Sequence, residues 1–124
     1  MPVRSVRRMT DSSPYTPLVL DKFRRRTYSL SLDLDLVDGT TSVFEACGKY
    51  PNGHSWEGVA RTAIKEGAPE VAGKIEFDSE GSMFCAIAKE EEPLRRLGEL
   101  MRDAVHDHAR LRHYLETGDP DWFD

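Results

Sequence analysis

The chain has no apolar run approaching the roughly 18 residues that a bilayer-spanning helix needs, so membrane insertion is not expected. Its start carries Arg4, Arg7 and Arg8 but runs on into Asp11-Ser12-Ser13-Pro14, without the apolar core that secretory targeting requires. A soluble, cytoplasmic protein is expected. Cysteine is scarce: Cys47 and Cys85 are the two in the sequence, without CxxC spacing or a neighbouring ligand set. Reduced thiols follow, although spacing alone does not say whether the two approach each other. No internal repeat is visible, and no residues assemble into a nucleophile, base and orienter. Catalytic residues and cofactors are therefore not expected. Arg24-Arg25-Arg26 lacks interleaved aromatics or a recognition helix, which leaves it a solvated loop and gives no nucleic-acid partner.

What is present is charge, unevenly divided. The 124 residues carry a formal net charge of −5, but residues 1–26 hold seven basic and two acidic side chains (+5), and the remainder holds ten against twenty (−10). An acidic body repels nucleic acid and steers a basic protein partner toward itself through a field that salt screens. The plainer role of such charge is solubility.

The length fits one domain. Residues 1–14 mix arginine, serine and proline without an apolar period and read as a basic disordered leader, residues 15–118 as the folded domain, and residues 119–124 as a tail. A short first strand is expected within 16–22, with Pro17 at its beginning or at an edge. Tyr28, Leu30, Leu32, Leu34 and Leu36 then alternate with Ser29, Ser31, Asp33 and Asp35. That period of two predicts a strand with leucines inward and a wet face of serines and aspartates. Residues 40–47 suit a short helix capped by Thr40 or Thr41, with a strand as the alternative.

After Pro51-Asn52-Gly53, Ser55 is placed to cap a helix to about Glu66. Its stripe is Trp56, Val59, Ala60, Ala63 and Ile64. Residues 74–78 and 82–88 read as strands joined by a hairpin in which Gly81 supplies a positive φ angle. The second is apolar on both sides, which predicts a central place in the sheet. Glu90-Glu91-Glu92 precede a helix with Pro93 at its first position. Its stripe of Leu94, Leu97, Met101, Ala104 and Val105 resumes at Leu111, Tyr114 and Leu115 after a break capped by Asp107. The expected architecture is α+β, an antiparallel sheet of about four strands with helices packed on one face.

Candidate sites are few. His106, Asp107, His108 and His113 are ligand types, but two-residue spacing points the first two histidines to different sides of a helix, so no metal is expected. Asp33 and Asp35 share a strand face about 7 Å apart, a spacing that geometry permits for paired acid-base carboxylates. Meeting arginine or lysine from a protein partner suits them better. Trp56 belongs to the apolar stripe and hence to the core, whereas His54, outside the stripe, is free to contact a partner. Glu57 lies where the helix dipole favours negative charge and completes the candidate partner-binding set of Asp33, Asp35, His54 and Glu57. Trp122 and Phe123 either fold back on the body or await another surface.

The run Asn52-Gly53-His54-Ser55-Trp56-Glu57-Gly58-Val59-Ala60, the hairpin Ile75-Glu76-Phe77-Asp78 through Gly81-Ser82-Met83-Phe84, and the leucine-spaced terminal helices together resemble the Immunity protein 51 family. The resemblance spans roughly residues 16–117. The hairpin fits the family pattern with Ser82 inserted between Gly81 and Met83, and two details depart from it: His54 stands in place of tyrosine, and His108 follows Asp107 in place of proline. The resemblance implies a bacterial immunity protein of a polymorphic toxin system, which neutralises its cognate toxin domain by tight non-covalent binding and performs no chemistry. It transfers no binding residues and identifies no toxin. The acidic body adds a basic toxin, such as a nuclease, to that expectation. Two rival readings are a small metal-dependent hydrolase built on Asp33 and Asp35 or the 106–113 cluster, and a generic regulatory interaction module. Oligomeric state is left open.

Overall fold

The computed structural model describes residues 14–24 and 26–123. Apart from Pro14, the expected leader lies outside them. Strands β1 (Val19–Arg24), β2 (Thr27–Asp33), β3 (Glu76–Phe77) and β4 (Met83–Ala88) form one sheet in the order β1-β2-β4-β3. Every pairing is antiparallel. Helices α1 (Thr41–Ala46), α2 (Gly53–Gly67), α3 (Glu91–His106) and α4 (His108–Thr117) complete the α+β fold.

The leucine alternation explains the inner layer. Leu30 pairs with Leu20 on one side and Ala86 on the other, Leu32 pairs with Phe84, and Leu30, Leu32, Phe84 and Ala86 are fully buried. Against them pack the stripes of α2 and α3, with Trp56, Val59, Ala63, Leu94, Leu97 and Met101 all buried. The Trp56 indole lies 5.1 Å from the Phe44 ring and anchors α1 to α2. Truncating a core side chain such as Leu97 to alanine costs about 2–5 kcal/mol, because transfer energy and a residual cavity add. Leu111, Tyr114 and Leu115 of α4 extend the same core.

Several boundaries differ from the sequence expectation, each for a local reason. β2 stops at Asp33, and Leu34–Thr40 forms a 3-10 segment kinked at Val37. The partner strand β4 begins at Met83, opposite Asp33, so the ladder runs out there, and the Asp33 carboxylate instead takes the Asp35 N–H at 3.0 Å. Leu36, expected inward, is 62% exposed. At the start of α2 the cap is Asn52, whose side chain accepts from the Ser55 N–H at 2.9 Å, and Ser55 itself lies inside the helix. β3 contains two residues, and the glycine with positive φ is Gly48, not Gly81. Pro93 occupies the third helical position, where an amide N–H still has no intrahelical acceptor to lose.

Thr40 does precede α1, but its hydroxyl donates to the Val37 carbonyl and caps nothing. Asp107 caps α4, accepting from the Ala109 and Arg110 N–H groups. Phe123 folds back against α2, in contact with the core. Both cysteines are free and half-buried.

Candidate functional site

Three segments distant in sequence meet at the turn between β3 and β4. The Gly53 N–H donates to the Gly81 carbonyl at 3.1 Å, which brings the start of α2 to the turn. The Leu34 N–H donates to the Ser82 carbonyl at 3.2 Å, which brings the end of β2 to it from the other side. Gly53 is required by this closeness, since a Cβ there would sit on the backbone carbonyl oxygen of Glu80. The turn is closed internally by the Glu80 N–H to the Met83 carbonyl, 2.8 Å.

The four expected partner-binding residues are thereby gathered at one end of the sheet, though not as the sequence pattern implied. Asp33 ends β2 on the sheet face turned away from the helices. Asp35 lies in the following 3-10 segment, so the two carboxylates do not share a strand face; their relation is the turn closed by the Asp33 carboxylate. His54 is exposed on the first turn of α2. Glu57 is half-buried one turn further on, where its Oε2 accepts the Ser79 N–H at 3.2 Å. That bond ties α2 to the hairpin and leaves Glu57 partly committed to structure.

Sequence reasoning missed three further members of this neighbourhood. Asp78 and Glu80 were legible as turn residues, and Cys85 as a strand residue, but nothing in a single sequence places Glu57 beside them. Burial, and after it the charges of Asp78, Glu57 and Glu80, push the Cys85 thiol above its ordinary range. Ser79 fixes that arrangement: its hydroxyl accepts the Cys85 N–H at 2.9 Å, while the Asp78 N–H reaches the Cys85 carbonyl at 2.9 Å. A thiol held among carboxylates is a poor nucleophile, because the thiolate is the reactive form.

Charge compensation divides the molecule. Most ion pairs lie on the helices: Arg95 with Glu91, Arg96 with Glu70 and Glu99, Arg102 with Asp103, Arg112 with Glu116, and His113 with Glu66, while Lys74 pairs with Glu90 beside the far end of the sheet. Among the described residues, Asp33, Asp35, Glu57, Asp78 and Glu80 form no ion pair. The turn is therefore rich in acid, with the Arg61 guanidinium beside it over the Phe77 ring, 4.7 Å from the centroid.

The histidines are dispersed. His106 Nε2 lies 3.0 Å from the Thr16 carbonyl oxygen, His113 Nε2 lies 2.9 Å from Glu66, and His108 is exposed at the start of α4. Among the described residues no three histidine, cysteine, aspartate or glutamate side chains gather as a metal-binding set. No helix among them is long and apolar enough to cross a membrane. Arg26 is exposed in the β1–β2 turn; Arg25 lies outside the described residues.

A model of the Immunity protein 51 family matches residues 19–120, most of the chain. No curated protein and no solved structure was found to match it.

Proposed function

The chain belongs to the Immunity protein 51 family, and on that premise we propose that it neutralises a cognate bacterial toxin domain of a polymorphic toxin system by tight, stoichiometric, non-covalent binding. The family match over residues 19–120 carries this reading. The protein acts as a binder in the cytoplasm of the cell that makes the toxin, and it works without turnover of a substrate.

The toxin it meets is basic, and a nuclease fits that character. The motivating observation is the −10 balance after residue 26, together with the five carboxylates near the β3–β4 turn that form no ion pair within the described residues. Opposite fields accelerate encounter and fix orientation, and salt weakens both. Co-expression with the toxin encoded beside this chain tests the proposal: growth is restored and the two proteins co-purify. Continued growth arrest despite ample soluble protein contradicts it.

A further inference from the structure

One large surface of the molecule is left uncovered by the described elements. All the strand-packing helices lie on the Leu30 and Leu32 side, and the opposite face of the sheet carries no helix among the described residues. On β2 its floor is Ser29 and Ser31, short side chains that admit close approach. Cys85 and Ile87 of β4 lie opposite them in register, half-buried only by their neighbours. Val19 on β1 pairs with Ser31 and is 52% exposed, and Met83 at the turn is 39% exposed. With Leu36 they make up three of the four large apolar side chains exposed among the described residues. Exposed apolar groups so concentrated mark an interaction surface.

The rim of this face is acidic along its floor and at the turn end, and mixed at the far end, where Glu76 and Ile87 border the same hollow as Arg26, Lys74 and Lys89. Asp21 lies opposite Ser29, Glu76 opposite Ile87, and Asp33 opposite Met83. Within the strands none of the outward positions with a described side chain is lysine or arginine, and Lys22 instead reaches the Tyr28 ring, 5.7 Å from its centroid. Asp78 and Glu80 continue the acidic border around Cys85. On the helical side, by contrast, Arg95, Arg96 and Arg112 are each paired with glutamates.

We propose that the uncovered sheet face, from Val19 across Ser31 and Cys85 to the β3–β4 turn, is the surface on which the toxin docks, and that it receives a cationic segment whose lysines or arginines meet the acidic rim while its apolar side chains cover the floor. This rests on the immunity reading above. Strand spacing and rise give the face about 15 by 20 Å, or ~300 Å². A stable interface needs roughly 800 Å² from each partner. The sheet therefore forms the centre of the contact, and the Leu34–Thr40 segment and the 78–82 turn supply its margins.

The test is calorimetric titration with a catalytically inactivated form of the toxin domain encoded beside this chain. Ser31→Arg places bulk and the wrong charge at the centre of the floor, and the affinity falls about 100-fold or more, the scale of a central hot spot. Glu76→Lys at the rim, where the core is untouched, lowers it about 10-fold and flattens the salt dependence. Arg112→Glu on the exposed side of α4 changes it less than about threefold. Melting temperature is followed for each variant, and Glu76→Lys decides the matter if Ser31→Arg fails to fold. Unchanged affinity in Glu76→Lys and Ser31→Arg, with loss in Arg112→Glu, overturns the proposed surface and leaves the immunity reading standing. Absence of binding by the unaltered protein overturns both.

Discussion

Cys85 shows how a single side chain reports on its surroundings. Its thiol is raised first by burial and then by Asp78, Glu57 and Glu80. In the unfolded chain those influences vanish, so the unfolded thiol ionises at lower pH than the folded one. The folded state then holds the proton more tightly, and stability is full below the ordinary thiol range and declines as pH rises through the folded value. Alkylation of the native protein across a pH series should have an alkaline-shifted midpoint. Asp78→Asn should move that midpoint down; a midpoint indifferent to this substitution would remove Asp78 as a cause. Gly53 offers a second test of the same neighbourhood. Gly53→Ala forces α2 away from the Glu80 carbonyl and should cost about 1–3 kcal/mol, the scale of overpacking. Asn52→Ala loses a helix cap, about 1 kcal/mol. Denaturant titration measures both, and a Gly53→Ala variant as stable as the unaltered protein would contradict the close approach.

The helices and the sheet were legible where side chains of one kind repeat with one period. The stripe of α2 from Trp56 to Ile64 and the stripe of α3 from Leu94 to Val105 are buried as their spacing predicts. Pattern failed where two structures share it. The alternation of residues 28–36 continues past Asp33, but a strand continues only while its neighbour does, and β4 begins opposite Asp33. The cap of α2 lies at Asn52 and not Ser55 for a related reason: both are capping residues, and contact with the turn at Gly81 decides between them. The tail illustrates a contact that sequence left open. A Cβ on Gly58 would lie 2.6 Å from the Phe123 ring, so Gly58→Ala should destabilise the intact protein. In a variant ending at Asp121 the obstacle is gone, and the same substitution should stabilise by up to about 1 kcal/mol through helix propensity. A double-mutant cycle reads that reversal of sign; additive effects would mean that Phe123 does not rest on Gly58 in solution.

The molecule as a whole has two sides of different character, a helical side that holds most of the ion pairs and a sheet side whose floor sets serines among Val19, Cys85 and Ile87 and whose turn end carries unpaired acids. The surplus of acid was visible in the sequence, but its concentration was not, because Glu57, Asp78 and Asp33 converge only through pairings between distant segments. That arrangement suits association by long-range attraction followed by close contact. Raising ionic strength should therefore slow association with the toxin more than it speeds dissociation, a difference that stopped-flow mixing resolves. Immunity by binding requires stoichiometric inhibition. Toxin activity, titrated with this protein well above the dissociation constant, should fall linearly to its floor at one equivalent and return on dissociation with intact toxin. Inhibition completed by a small fraction of an equivalent, with the toxin permanently altered, would show turnover and contradict it.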